Sequence, residues 1–215
     1  GDPRNPGQNG CRWLARAALL ASGLALTSLP AAATSLRYCD APPVLDARQQ
    51  DRLLRFAALI RRELEASGQA VALVARSGLD LERFAVRYSH AGVSLRASPN
   101  TPWSVRQLYF ACEERAPRLY DQGLAGFVQG TNDAELGYVS VLLLDPADAA
   151  ALQRTALDPA RALQLLGSTY SANAYPFDTT YQNCNQWLAE LLAAAWGGVQ
   201  GAQARQDAQR WLTAA

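Results

Sequence analysis

Cys184 is the residue whose surroundings most clearly suggest chemistry. It stands in the segment TTYQNCNQWLAELLAAAW, between two asparagines, at the point where a loop gives way to a helical pattern. Trp187 and Leu188 follow at helical spacing, so Cys184 lies on the buried stripe in the first turn. The free N–H groups and the dipole at this end of a helix favour the thiolate, which predicts a nucleophile. A small core residue, a common role for a free cysteine, is the alternative.

The number of cysteines bears on the same question. The chain has 4 cysteines, and Cys11 lies in a segment that we expect to be removed. Cys39, Cys112 and Cys184 remain, and an odd number in an exported protein indicates one unpaired thiol. We therefore predict a disulfide between Cys39 and Cys112 that leaves Cys184 free. The alternative is a structural zinc site of these three cysteines and His90, although no close C-x₂₋₄-C pair is present.

His90 is the only histidine of the chain and lies in YSHAGVSL, which we predict to be the middle of a strand. Strand alternation puts His90, Gly92 and Ser94 on one face, and Gly92 leaves space beside the imidazole for a substrate. A cysteine at a helix N-terminus and a histidine on a strand are the two parts of a thiol–imidazole dyad. The alternative is a histidine on the exposed side of a half-buried sheet.

A third group normally holds such an imidazole in its working tautomer. In the next predicted strand, WSVRQLYFAC, the residues that share one face are Trp103, Val105, Gln107 and Tyr109. Gln107 is the polar member of this face that can accept a hydrogen bond from a ring N–H, so we predict that it orients His90. An exposed strand glutamine is the alternative.

The elements that must position these residues follow from the periodicity of the chain. A helix is predicted from the N-cap Asp46 to a stop at Gly68, and further helices from Pro146 to about Leu166, from Cys184 to Gly197, and at the end. The last of these has no stop signal, as in a chain that is cut short. Strands are predicted at 70–76, 84–97, 103–112 and 136–144, with a hairpin turn at SPNTP. Strands in the middle and helices at both ends predict an α+β fold.

The N-terminal segment predicts export. Arg12 and Arg16 precede the apolar run AALLASGLALTSL, and the small residues of PAAAT follow it. This order is typical of a signal peptide, here residues 1–33, and the run is shorter than the ~20 residues of a membrane-spanning helix. A buried helix is the alternative. We expect residues 34–215 to form a single periplasmic domain with no transmembrane anchor and no cofactor. The net charge of +1 gives no reason to expect nucleic acid as a partner.

Three segments carry a family resemblance. YSHAGVSL, WSVRQLYFAC and YQNCNQWLAELL resemble the permuted branch of the NlpC-type papain-like hydrolases, in which the histidine strand comes first and the cysteine helix last. Relatives of lecithin:retinol acyltransferase belong to that branch. Over most of the mature chain, RYSHAGVSLRASPNTPWSVRQLYFACEE and GSTYSANAYPFDTTYQNCNQW resemble a bacterial family of unknown function, DUF2145.

The broader resemblance implies a fold and an activity. The fold would be permuted papain-like, with the cysteine helix packed against a central antiparallel sheet. Cys184 matches the nucleophile, His90 the general base, and Gln107 falls where relatives place a polar residue, often a carboxylate or a second histidine. The oxyanion hole would include the backbone N–H of Cys184, with Asn183 or Tyr88 as further donors.

The activity that this resemblance implies is that of a thiol hydrolase or acyltransferase acting on an amide or ester. The expected substrates are cell-wall peptides or acylated lipids and proteins. A papain-like periplasmic domain that binds or acts as a scaffold without catalysis is the alternative.

Overall fold

The computed structural model describes Cys39 and residues 44–215, apart from Asp80, Asn132, Ala134 and the side chain of Glu82. The predicted signal peptide, residues 1–33, lies outside the described residues, so it stays a prediction. Within the described part of the chain, no helix has the length and apolar character needed to cross a membrane.

Five strands form one sheet. They are β1 (Val71–Arg76), β2 (His90–Leu95), β3 (Ser104–Ala111), β4 (Ala116–Gln122) and β5 (Val139–Leu142). The order across the sheet is β4-β3-β2-β1-β5, and every neighbouring pair is antiparallel. The predicted α+β class and the predicted hairpin between β2 and β3 are therefore confirmed.

In the described part of the chain, six α-helices accompany the sheet. They are α1 (Ala47–Ala66), α2 (Leu124–Gln129), α3 (Pro146–Leu157), α4 (Pro159–Gln164), α5 (Cys184–Trp196) and α6 (Ala204–Ala214). The Asp46 side chain accepts a hydrogen bond from the Gln49 N–H at 2.8 Å, which caps α1 as predicted. Asp158 caps α4 in the same way and separates it from α3.

The helices cover the sheet on two sides. Helix α5 packs against β2 and β3, where Trp187 and Leu191 belong to the same buried cluster as Val93 and Leu95. Helices α1 and α2 contribute to a second buried cluster with the residues Ala72, Val74, Trp103 and Val105. The first of these clusters holds α5 against the sheet, and so it fixes Cys184 relative to β2.

Several predicted strands are shorter in the structure. The strand predicted at 84–97 begins only at His90, because residues 82–84 form a 3₁₀ turn and Ala85 has a φ of 55°, which does not fit a strand. The strand predicted at 136–144 is confined to Val139–Leu142, while β4 and α2 were not predicted. The prediction that His90 lies in the middle of a strand is therefore wrong, since it is the first residue of β2.

The predicted disulfide is confirmed. Cys39 and Cys112 are bonded, with Cα atoms 5.6 Å apart and a sequence separation of 73. Cys184 remains a free, buried thiol. On the chain-entropy account, closing such a loop stabilises the fold by up to ~4 kcal/mol. The zinc alternative is excluded, since two of its four ligands are bonded to each other.

Candidate active site

Cys184 is the first residue of α5, as predicted. The Asn183 side chain accepts a hydrogen bond from the Gln186 N–H at 2.9 Å and so caps the helix. The thiol is buried. Its sulfur lies 4.0 Å from the carbonyl oxygen of Ser89 and 3.8 Å from Oδ1 of Asn185. The start of α5 thus presents the sulfur to the backbone at the beginning of β2, near Ser89 and Ala91.

His90 is held by a chain of amide side chains. Its Nε2 lies 2.7 Å from Oε1 of Gln107, and Nε2 of Gln107 donates to Oε1 of Gln122 at 2.7 Å. Because the amide oxygen can only accept, this network assigns the ring proton to Nε2 and leaves the lone pair of Nδ1 free. The Tyr109 ring stacks on the imidazole, with centroids 4.5 Å apart.

Gln107 lies within hydrogen-bond distance of the imidazole, as its predicted role requires. The side chain is fully buried, so the alternative of an exposed strand glutamine is wrong. The space predicted beside Gly92 is not open to substrate, because a Cβ there would lie 2.7 Å from Cγ1 of Val105 and 3.1 Å from Cβ of Gln107. Gly92 instead lets β3 approach closely, which brings Gln107 to the imidazole.

Cys184 and His90 line the same cleft, a cavity of about 340 Å³ at the start of β2. Other residues that line it include Arg76, Tyr88, Tyr109, Tyr170 and Asn173. Among the described residues the thiol makes no hydrogen bond to the imidazole and faces Ser89 and Asn185 instead. Catalytic hydrogen bonds are often long in ligand-free proteins, so this geometry is compatible with a dyad that closes around a substrate.

The electrostatics of the pair differ from the prediction. The pKa of His90 is lowered to about 3, first by burial and then by the nearby Arg76 guanidinium, while the Gln107 hydrogen bond opposes both. Burial raises the pKa of Cys184, opposed in part by the N–H groups of Ala91 and Asn185. The sequence predicted a thiolate stabilised by the helix N-terminus, but desolvation outweighs that effect. At neutral pH the cleft holds a neutral thiol and a neutral imidazole.

The predicted oxyanion donors all line the cleft, but not all of them are free to act there. The Asn183 amide is engaged elsewhere, because its oxygen caps α5 and its nitrogen donates to the carbonyl of Ala172 at 3.1 Å. Tyr88 does line the cleft. The backbone N–H groups of Cys184 and Asn185 both interact with the sulfur. Backbone N–H groups directed at the sulfur in this way are placed to donate to an oxygen that develops negative charge beside the sulfur.

A buried ion pair anchors the loop that forms one wall of the cleft. Arg205 donates to both carboxylate oxygens of Glu190, each at 3.0 Å, and to the carbonyl oxygens of Thr179 and Tyr181. Gln182 also donates to Glu190, at 2.6 Å. This network was not predicted from the sequence. Its signal was available, since Glu190 is the only charged residue in the apolar helix CNQWLAELLAAAW.

Arg76, the last residue of β1, was also missed. It pairs with His90 in the sheet register and lines the cleft. The sequence shows only an arginine that ends an apolar strand, which is a weak signal. Gln122 was missed because β4 was not predicted.

The fold and the site together define an α+β domain in which an antiparallel sheet and a helix that begins at a cysteine enclose a cleft with a free thiol and an oriented histidine. The chain belongs to a family of uncharacterized proteins conserved in bacteria, DUF2145, which matches residues 63–215. This range includes the whole sheet together with Cys184, His90 and Gln107. No curated protein matches the chain, and no solved structure matches it.

Proposed function

We propose that this protein is an exported cysteine hydrolase or acyltransferase that acts on an amide or ester through Cys184 and His90. The observation that carries the proposal is the shared cleft. A free thiol at the first turn of α5 and an imidazole whose Nε2 is held by Gln107 Oε1 at 2.7 Å line the same cavity. A nucleophile, a base and a group that orients the base form the minimal set for covalent acyl transfer.

In the proposed reaction, the sulfur of Cys184 attacks the substrate carbonyl while Nδ1 of His90 takes the thiol proton. A C–S bond forms, and the oxyanion is stabilised by backbone N–H groups of the first turn of α5. The tetrahedral intermediate collapses, the C–N or C–O bond breaks, and His90 gives its proton to the leaving amine or alcohol. Water or another acceptor then attacks the thioester, with His90 as base, and restores the thiol.

The permuted papain-like architecture and the periplasmic location are parts of the same proposal. The order of the chain supports the architecture, since the histidine strand β2 precedes the cysteine helix α5 and that helix packs against an antiparallel sheet. The Cys39–Cys112 disulfide is compatible with an oxidising compartment. The substrates would be cell-wall peptides or acylated lipids and proteins.

A binding or scaffold domain without catalysis is the second candidate. Two observations favour it: burial raises the pKa of the Cys184 thiol, and the thiol faces the Ser89 carbonyl rather than the imidazole. Such a domain would keep the cleft but would form no acyl-enzyme.

Labelling with a thiol-directed acyl-mimic probe, such as a peptidyl acyloxymethyl ketone, separates the two candidates. We expect the purified protein to be labelled at Cys184, Cys184→Ser not to be labelled, and His90→Ala to be labelled at least about ten-fold more slowly, since loss of a general base typically costs 10²–10⁴-fold. A variant with both Cys39→Ser and Cys112→Ser serves as the control for labelling at other sulfurs. Equal rates in the wild type and His90→Ala would favour the scaffold.

A further inference from the structure

Arg76 is a buried cation that pairs with no carboxylate among the described residues. Its side chain is 5 % exposed, and among the described residues no Asp or Glu lies within ion-pair distance of it. Its Nη1 donates to the carbonyls of Ser77 and Gly130, and its Nη2 donates to the Tyr109 hydroxyl at 2.8 Å. Nε is buried and has no hydrogen-bond partner. A guanidinium has five N–H groups, so these three contacts leave two donors unused.

The surrounding chain is shaped to admit this guanidinium. A Cβ at Gly130 would lie 2.5 Å from its central carbon, and a Cβ at Gly78 would lie 2.7 Å from its Nη1. The Phe127 ring lies on another side, with its centroid 5.6 Å from the guanidinium carbon. A side chain at either glycine would displace the cation, so its place beside the cleft depends on both.

The described residues that line the cleft carry a positive charge. Arg76 is the only charged side chain among the described residues that line it, and no carboxylate is among them. His90 adds no charge at neutral pH, because its pKa is lowered to about 3. A buried charge is costly unless it is paired, and such unpaired charges are concentrated at functional sites.

We propose that Arg76 binds a carboxylate of the substrate, so that the cleft accepts acyl donors that carry a carboxylate close to the scissile bond. This inference rests on the proposed function and names the class of its substrate. Nη2 has a second N–H beside the one that it donates to Tyr109, and charge-assisted hydrogen bonds of this kind make arginine suited to binding a carboxylate.

Binding of the carboxylate would also raise the pKa of His90. The positive charge of Arg76 is one of the causes that lower the pKa of His90. A bound carboxylate would neutralise that charge and make His90 a stronger base only when a substrate is in place.

The test compares two alkylating agents at Cys184, iodoacetate, which carries a carboxylate, and iodoacetamide, which is neutral. The rate with iodoacetate is divided by the rate with iodoacetamide, and this ratio is divided by the same ratio for the free thiol N-acetylcysteinamide. We expect this quotient to be roughly ten or more for the wild type, as for a unit charge acting across a few ångströms in a protein cleft. Arg76→Lys, which keeps the charge, should retain an elevated quotient, and Arg76→Gln should bring it to about one. A quotient near one in the wild type would overturn the proposal, as would an elevated one in Arg76→Gln.

A second measurement needs no substitution, so it decides the matter even if Arg76→Gln does not fold. N-acetylglycine should protect Cys184 of the wild-type protein from iodoacetamide in a saturable way, whereas N-acetylglycinamide should not. Equal protection by both, or protection by neither, would overturn the proposal. Neither measurement requires acyl transfer. An elevated quotient in a protein that forms no acyl-enzyme would refute the proposed function alone.

Discussion

Gln107 links His90 to Gln122 through two hydrogen bonds of 2.7 Å each. Every member of this chain is uncharged when the imidazole is neutral, and Gln107 is fully buried. An amide in this place orients the ring but stabilises an imidazolium less than a carboxylate would. Burial and the nearby Arg76 charge lower the pKa of His90 more than this hydrogen bond raises it, so the histidine is well positioned but has a pKa of about 3.

Replacing Gln107 by glutamate should raise the pKa of His90. An ionised carboxylate beside Nε2 would stabilise the imidazolium, and Gln122 can turn its amide to donate to the second oxygen. We expect an upward change of roughly 1–3 pH units, as for other groups next to an opposite charge. The measurement is an NMR titration, which is unambiguous because the chain has 1 histidine. The matched control Gln107→Leu keeps the volume and should not raise the pKa. If Gln107→Leu raises the pKa of His90 as much as Gln107→Glu does, the charge of the carboxylate is not the cause of the change.

The buried histidine should make stability depend on pH. The native pKa of about 3 lies below the unfolded value of 6.5, so below pH 6.5 the unfolded chain binds a proton that the native protein does not. The free energy of unfolding should therefore fall as the pH falls, by up to about 1.4 kcal/mol per pH unit. Denaturant unfolding between about pH 6.5 and 5, above the range of most carboxylates, isolates this effect. His90→Gln should lack this pH dependence. An equally steep fall in its free energy of unfolding would show that His90 is not the cause.

Gly92→Ala should destabilise the fold and disturb the site. The new Cβ would lie 2.8 Å from the backbone oxygen of Arg106, which cannot move without shifting β3 away from β2. We expect a loss of about 1–3 kcal/mol, as for other overpacked cores. Gly126→Ala, within α2, meets nothing closer than 3.6 Å and should be neutral or stabilising. Denaturant unfolding measures both variants, and equal stability of the two would show that the close approach at Gly92 is relaxed.

Glu190→Gln should strongly destabilise the protein and slow labelling of Cys184. It leaves the buried Arg205 charge unpaired, which typically costs about 3–5 kcal/mol, and it loosens the loop that Arg205 and Gln182 anchor. The control is Asp207→Asn on α6, whose ion pair with Arg210 is exposed and should contribute less than about 1 kcal/mol. Urea unfolding and the rate of probe labelling are the two readouts. Similar losses in both variants would show that the Glu190 pair adds no more than a surface pair does.

Local patterns predicted the elements that carry the candidate catalytic residues. The cap at Asp46 and the start of α5 at Cys184 depend on residues within one turn, and the β2–β3 hairpin depends on a turn rich in breakers. The pairing of Cys39 with Cys112 followed from counting thiols. These features were predictable because their causes are close together in sequence or because the number of possibilities was small.

The remaining features depend on residues distant in sequence. Ala85 breaks the strand predicted at 84–97 through a positive φ that no side-chain pattern announces. The partners of Arg76, and the meeting of Glu190 with Arg205, exist only after the sheet and helices have packed. The prediction of a lowered pKa for Cys184 was wrong for the same reason. A helix N-terminus is visible in the sequence, but the burial that outweighs it is not.

The pH dependence of Cys184 acylation tests the central claim most directly. The rate of thioester formation with a neutral ester, p-nitrophenyl acetate, is measured for the wild type and His90→Ala, with Cys184→Ala for background. If His90 is the base, its pKa of about 3 and the raised pKa of Cys184 predict a wild-type rate that is nearly constant between about pH 5 and 8. His90→Ala must react through the free thiolate, so its rate should rise by about ten-fold per pH unit. A wild-type rate that rises equally steeply would contradict the account, because Cys184 would then react without the help of His90.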